Sequence, residues 1–137
     1  MLFIPKNSKY KKQRKGKSSL RINKKISFCQ FQYGSVGLKA TSMGFLNSKE
    51  LKTIRQTILK VLKKKGRLKI NIYPQTPITK KPLEIRMGKG KGSVNHWVFK
   101  VRPGIVLLEI ETEFISLAIK ALKLAQIRLS VNTKILS

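Results

Sequence analysis

Acidic residues are scarce in this sequence, and aspartate is absent altogether. Five glutamates stand against 31 lysines and arginines, so the 137-residue chain carries a formal net charge of +26. Repulsion between so many like charges destabilises a compact chain unless counter-charge is supplied. Nucleic acid supplies that charge densely and gains affinity through counterion release. Because ordinary soluble surfaces mix both signs, the composition favours a nucleic-acid partner over a basic face that is merely solvated.

Side chains that perform chemistry are equally rare. Cys29 is the only cysteine, which excludes a disulfide framework and indicates a reducing or neutral compartment. His96 is the only histidine, and a structural or RNA-stacking role suits it better than that of a general base. Glu109, Glu111 and Glu113 form a cluster, but without aspartate or a second histidine they support a metal site poorly. We expect these glutamates to solvate a strand end, cap a helix or pair with lysines. We expect the protein to have no enzymatic activity and to bind no metal or cofactor.

Long apolar runs are also missing. No stretch approaches the roughly 18 consecutive apolar residues of a membrane-spanning helix. The first residues lack the apolar run of a signal peptide and the Arg-rich, amphipathic character of a transit peptide. We therefore expect a protein that works where it is made and has no membrane partner. The length fits one domain, and the 41% of hydrophobic residues suffices for one core.

Residues 1–26 form a basic arm with ten lysines and arginines and no acid. Such a run cannot pack on itself, so we expect the arm to be disordered when free and to bind RNA phosphates. A nuclear localisation patch over 11–17 is the alternative. The predicted contacts of the arm are Lys6, Lys9, Lys11, Lys12, Arg14, Lys15 and Lys17. The remaining residues, 27–137, are predicted to form a single domain.

Two helices are predicted within that domain. The first begins at Asn47, with Glu50 three residues later as in a capping box, and Gly66 is expected as its C′ residue. Its predicted phosphate contacts, which lie off the apolar stripe, are Lys52, Arg55 and Lys63. The alternative for them is a solvated basic face. The second helix covers about 113–127, with Thr112 as its cap. Its predicted core positions are Phe114, Leu117, Ala118, Ala121, Leu124 and Ala125.

Alternating apolar residues and turn signals predict the strands. The predicted ranges are 26–33, 38–43, 68–73, 83–86, 94–102, 105–110 and 129–135. The dipeptide Pro103-Gly104 predicts a hairpin between the fifth and sixth of these. Runs of strands with two separated helices are typical of an α+β fold. We therefore predict a mainly antiparallel sheet with both helices on one face.

The most informative segment is the loop 86–93, which reads Arg-Met-Gly-Lys-Gly-Lys-Gly-Ser. Its glycines permit positive φ and close approach of the backbone to a ligand, and its lysines bring charge to the same place. The pattern departs from nucleotide-binding motifs because no Ser or Thr follows the lysine directly. We expect a phosphate-contacting loop, with a flexible surface loop as the alternative. Its predicted contacts are Arg86, Met87, Gly88, Lys89, Gly90, Lys91 and Gly92.

This loop, followed four residues later by Trp97, resembles the signature of the bacterial and organellar family of large-subunit ribosomal protein sixteen. The resemblance extends over nearly the whole chain. It includes the basic arm, Pro77-Ile-Thr-Lys-Lys-Pro-Leu83 and the turn Arg102-Pro-Gly104. The chain departs from the family pattern at Gly66-Arg-Leu-Lys69, where the family's tryptophan is missing.

The resemblance implies a structural constituent of the large ribosomal subunit. Family members bind rRNA near the central protuberance, line the aminoacyl-tRNA side, and extend the Gly/Lys loop toward the peptidyl-transferase region. The implied partners are large-subunit rRNA, tRNA and neighbouring ribosomal proteins, and no homo-oligomer is expected. Sequence divergence and the excess of 24 lysines over 7 arginines favour the matrix of a mitochondrion, with a bacterial cytoplasm second. A free basic nucleic-acid-binding protein outside the ribosome is the alternative function.

Overall fold

The computed structural model describes residues 3–14, 30–86, 88 and 90–137. The beginning of the predicted strand over 26–33 and four predicted contacts, Lys15, Lys17, Met87 and Lys89, lie outside these residues. Two helices and seven strands occur in the described part. They are β1 (Val36–Ala40), β2 (Gly44–Asn47), α1 (Ser48–Leu62), β3 (Arg67–Ile70), β4 (Thr76–Lys80), β5 (Ser93–Val101), β6 (Val106–Glu111), α2 (Ile115–Gln126) and β7 (Thr133–Leu136).

The strands form two antiparallel sheets. The larger has the order β3-β6-β1-β7, and Leu38 of β1 pairs with Leu108 on one side and Ile135 on the other. The smaller has the order β2-β5-β4, with Leu46 opposite Phe99. The predicted α+β class with antiparallel pairing is therefore confirmed, and the strands are divided between two sheets.

Both helices share a core with the larger sheet. That core contains Leu38, Leu108 and Ile110 from the strands and a stripe from each helix. A second core lies around the smaller sheet and includes Leu46, Val101 and Leu107. Leu107 and Leu108 of β6 belong to different cores because successive side chains of a strand point to opposite faces. This two-sided burial explains the nearly continuous apolar run of β6.

The capping box predicted for α1 is confirmed, since the backbone N–H of Asn47 donates to Glu50 Oε2 at 3.2 Å. The predicted end of this helix is wrong. Lys63 and Lys64, with φ of 44° and 68°, provide the left-handed turn, and Lys63 N–H donates to Leu59 O. Gly66 instead permits close packing, because a Cβ there would lie 2.9 Å from Glu111 O. The chain must turn this early because β3 begins at Arg67, opposite Glu111.

The predicted hairpin between β5 and β6 is also wrong, because the two strands belong to different sheets. Gly104 does adopt a left-handed φ of 92°. Its N–H, however, donates to Ala40 O at 2.8 Å, at the end of β1. The turn therefore passes the chain from the smaller sheet to the larger one, and non-local pairing overrides the hairpin preference of the dipeptide.

Further strand assignments need correction. β1 ends at Ala40 and not at residue 43, β2 was not predicted, and β7 begins at Thr133 and not at residue 129. Residues 76–80 form β4, which was not among the predicted strands; Pro77 is tolerated because β4 is an edge strand. Residues 83–86 form a turn and no strand, and Leu83 is 96% exposed. Residues 30–33 are not a strand either, because the backbone N–H groups of Gln32 and Tyr33 donate to the side chain of Glu109.

The second helix is shorter than predicted. It begins at Ile115, and Thr112 Oγ1 accepts from Phe114 N–H at 3.1 Å, ahead of the first turn. Phe114 and Leu124, predicted to face the core, are largely exposed. The buried stripe of α2 consists of Ala118, Ala121, Leu122 and Ala125. In the part of the chain described, neither helix is long and apolar enough to cross a membrane.

Candidate nucleic-acid interface

The arm is anchored at its first described residue. Phe3 is only 6% exposed, belongs to the second core, and its ring centroid lies 6.4 Å from that of Tyr73. Apolar burial of this kind fixes where the arm leaves the domain. From there residues 6–14 lie on the surface. All predicted contacts in this stretch are exposed, namely Lys6, Lys9, Lys11, Lys12 and Arg14.

The glycines of the loop have two different structural roles. Gly88 and Gly90 adopt φ of 106° and 81°, and a Cβ on either would meet nothing within 4 Å. The positive φ that the sequence predicted is thus confirmed at these two positions. A Cβ on Gly92 would lie 2.7 Å from Lys80 O, so this glycine permits close packing on the end of β4. Lys81 Nζ donates to Gly88 O and holds the other side of the loop.

The arm and the loop contact each other directly. Lys12 Nζ donates to Lys91 O at 2.9 Å, and Lys91 Nζ donates in return to Gln13 O. These reciprocal hydrogen bonds join segments that are 79 residues apart in sequence. Residues 6–14 are exposed, and we call them, together with residues 86, 88 and 90–92, the arm–loop surface. Because like charges repel, bringing these lysines together makes a surface suited to an anion.

The predicted contacts on α1 are not part of this surface. Lys52 and Lys63 are exposed and Arg55 is half-buried. Within the described residues, no hydrogen bond connects any of the three to the arm or the loop. Hydrogen bonds therefore join the arm and the loop into one region, and among the described residues they do not extend that region to the basic face of α1. Arg86 is exposed at the start of the loop.

Glu109 overturns one expectation, because its side chain is buried in the sheet and, among the described residues, neither caps a helix nor forms an ion pair with a lysine. It is 1% exposed, and Oε2 accepts hydrogen bonds from the N–H groups of Gln32, Tyr33 and Gly34 at 3.1, 2.8 and 3.0 Å. Asn71 Nδ2 donates to Oε1 at 2.6 Å. The carboxylate thus holds the segment that leads from the arm into β1.

These hydrogen bonds also determine the charge state of Glu109. Burial on its own raises the pKa of the carboxyl. The hydrogen bonds from Tyr33, Asn71, Gly34 and Gln32 outweigh burial and hold the pKa below its ordinary 4.5. An anion that receives several N–H donors is stabilised relative to the neutral acid. Glu111 and Glu113, in contrast, are exposed at the end of β6 and beyond it.

Sequence reasoning missed the role of Glu109 as a buried acceptor and the support that Lys80 and Lys81 give to the loop. One signal for Glu109 was its place inside an apolar run, where a buried carboxylate needs dedicated donors. The backbone donors lie 75 to 77 residues away along the chain and Asn71 lies 38 residues away, so pattern alone could not name them. His96 is half-buried in β5 opposite Ile78.

Comparisons with known proteins identify the same ribosomal protein family over nearly the whole chain. The family profile of ribosomal protein L16p/L10e matches residues 5–136. The large ribosomal subunit protein uL16 of Blochmanniella pennsylvanica (strain BPEN) is 42% identical over 137 residues, covering 99% of this chain and 98% of that protein. The proteins of the same name from Wigglesworthia glossinidia brevipalpis and Buchnera aphidicola subsp. Baizongia pistaciae (strain Bp) are 40% and 44% identical, each covering 96% of this chain and 94% of the relative. The chain therefore belongs to the L16p/L10e family of ribosomal proteins, whose role is structural and not enzymatic.

Proposed function

We propose that the chain is a constituent of the large ribosomal subunit that binds its rRNA through the arm–loop surface. The observation that carries this proposal is the reciprocal contact between Lys12, Gln13 and Lys91. It brings two basic segments, distant in sequence, to one place on the folded domain. Family membership supports the ribosomal context, and the charge of +26 supports a polyanionic partner.

Binding works by phosphate neutralisation and shape, without a base code, because the arm–loop surface offers ammonium, guanidinium and backbone N–H donors. Gly88 and Gly90 have open space on the side where a Cβ would project. An RNA backbone can therefore approach the loop backbone closely there. The charge contacts that the arm and the loop make with RNA offset the entropy lost on binding.

The remaining predicted contacts extend this surface. Lys15 and Lys17 continue the arm, and Met87 and Lys89 complete the loop. Lys52, Arg55 and Lys63 form a second, weaker contact on the face of α1 that points away from its apolar stripe. In this proposal residues 1–26 are the rRNA-binding arm and residues 27–137 the single domain, and the chain acts as one copy among neighbouring ribosomal proteins.

The resemblance to the family adds the position within the subunit. The proposed site lies near the central protuberance, on the aminoacyl-tRNA side, with the loop directed toward the peptidyl-transferase region and in contact with tRNA. The exposed loop with its left-handed glycines supports such a reach.

The cellular compartment of the protein depends on whether it belongs to a mitochondrial or a bacterial ribosome. Divergence and composition favour a mitochondrial ribosome in the matrix, whereas the relatives compared above are bacterial proteins and support the bacterial cytoplasm. Sedimentation of a gentle cell or organelle lysate, before and after a high-salt wash, tests the ribosomal function, and the lysate in which the protein sediments with large subunits identifies the compartment. We expect the protein to migrate with large subunits and to resist moderate salt. Migration in light fractions or with DNA would favour the free nucleic-acid binder instead.

A further inference from the structure

A second region outside the arm–loop surface has the features of a nucleotide site. It is a cleft of about 780 Å³ at the end of α1, between the start of β3 and the segment that precedes α2. Its size falls within the roughly 300–1,000 Å³ of small-molecule sites. The lining contains three cations, Lys64, Lys65 and Arg67, which we call the cleft cations. It also contains two aromatic residues, Tyr33 and Phe114.

Hydrogen bonds fix both walls of the cleft. On one side Thr112 Oγ1 donates to Lys65 O at 2.6 Å and accepts from Phe114 N–H at 3.1 Å, so it holds a cation beside a ring. On the other side Tyr33 N–H donates to the buried Glu109 Oε2 at 2.8 Å. Positions held in this way need little reordering when a ligand enters, which favours binding.

The two rings are accessible and lie beside positive charge. Tyr33 is 61% exposed and Phe114 is 50% exposed. Lys65 Nζ lies 5.2 Å from the centroid of the Phe114 ring, and Lys69 Nζ lies over the ring of Tyr33. An aromatic ring next to an ammonium group offers a stacking platform for a base and a partner for the phosphate attached to it.

Two carboxylates distinguish this cleft from a plain phosphate-binding surface. Glu111 and Glu113 line it, although the whole chain has only five acidic residues. A carboxylate repels phosphate but accepts hydrogen bonds from the exocyclic amino group of a base. The combination of ring, cation and carboxylate therefore matches the three parts of a nucleotide.

We propose that the cleft holds one unpaired nucleotide of RNA. The base stacks on Phe114 or Tyr33, a phosphate contacts the cleft cations, and Glu111 or Glu113 accepts a hydrogen bond from an amino group of the base. Adenine, cytosine and guanine carry such a group and uracil does not, so the cleft prefers the first three. The proposal rests on RNA binding by this chain, but it concerns a surface separate from the arm and the loop.

Binding of five-nucleotide oligoadenylate and oligouridylate to the full chain at fixed salt tests the stacking part. We expect Phe114→Leu to weaken oligoadenylate binding about tenfold and Phe114→Tyr to retain it. Phe45→Leu is the matched control, because Phe45 is 43% exposed and lies outside the cleft. Equal losses from Phe114→Leu and Phe45→Leu would overturn the proposal, and thermal melting of each variant verifies that it folds.

The variant Glu111→Met tests whether a carboxylate of the cleft recognises the base. Its control is Glu84→Met, which removes the same charge from an exposed turn outside the cleft. Losing a negative charge strengthens RNA binding in both variants. Only Glu111→Met should also reduce the preference for oligoadenylate over oligouridylate, by several-fold. An unchanged preference, or cross-links from position 114 to a neighbouring protein and not to RNA, would overturn the proposal. If the Phe114→Leu protein then still migrates with large subunits, the proposed ribosomal function stands without the cleft.

Discussion

The buried carboxylate of Glu109 accepts a hydrogen bond from the backbone N–H of Tyr33 at 2.8 Å, across 76 residues of sequence. The same oxygen accepts from Gly34, the last residue but one before β1. One side chain in the middle of the larger sheet therefore determines how the chain enters the domain. It also positions Tyr33 at the wall of the cleft.

Replacing this carboxylate destabilises the fold. We expect Glu109→Gln to lower the free energy of unfolding by about 2–3 kcal/mol, because the buried bonds to a charged carboxylate become weaker bonds to a neutral amide, whose N–H₂ also faces the existing donors. Urea unfolding followed by circular dichroism measures the change. Glu84→Gln is the control, since Glu84 is exposed in a turn, and its effect should stay within about 0.5 kcal/mol. Equal stability of the two variants would show that the Glu109 hydrogen bonds contribute nothing net.

The lowered pKa of Glu109 determines the direction in which stability changes with pH. The pKa of Glu109 is lowered in the folded chain relative to 4.5. Its ionised form therefore contributes stability above pH 4.5, and the contribution is lost as the pH falls through the folded pKa. We expect the stability difference between wild type and Glu109→Gln to be constant at neutral pH and to narrow below pH 4.5. A difference that widens on acidification would contradict the assigned direction.

How much of the fold the sequence predicts depends on whether the determinant is local. The capping box of Asn47 and Glu50 and the amphipathic stripe of α1 lie within a few residues, and both were found. The hairpin prediction failed because β6 pairs with β1 and β3, whereas β5 pairs with β2 and β4 in the other sheet. Nothing local in Pro103-Gly104 encodes that choice. Strand pairing is a tertiary property that overrides turn preference.

The candidate site divides in the same way. Positive φ at Gly88 and Gly90 follows from residue type, and the sequence predicted it. The contact between Lys12 and Lys91 joins segments 79 residues apart and could not be predicted from either one. At the end of α1, residue type gave the wrong prediction. Gly66 was expected to provide the left-handed turn, but the turn falls on Lys63 because β3 must begin at Arg67.

Branched side chains in the loop should impair its function more than its stability. Gly90 has φ of 81°, a conformation that valine adopts only with strain. We expect Gly90→Val to reduce incorporation into large subunits several-fold, and the strain at a positive φ to cost about 1–3 kcal/mol of unfolding free energy, which leaves the domain folded. Co-expression of tagged variants and quantification in gradient fractions measures this. The control is Ser93→Val, which adds the same side chain in the extended backbone of β5; normal incorporation of Gly90→Val would refute the role of the loop.

The most direct test of the central claim is the salt dependence of RNA binding by the double variant Lys12→Ala, Lys91→Ala. The control is Lys120→Ala, Lys123→Ala, which removes the same charge from exposed positions of α2. If the arm–loop surface binds phosphates, the slope of log affinity against log salt becomes shallower by about 0.7–0.9 for each lost contact. We predict a decrease of about 1.4–1.8 in the first variant and none in the control. The same slope in both variants would contradict binding through the arm–loop surface.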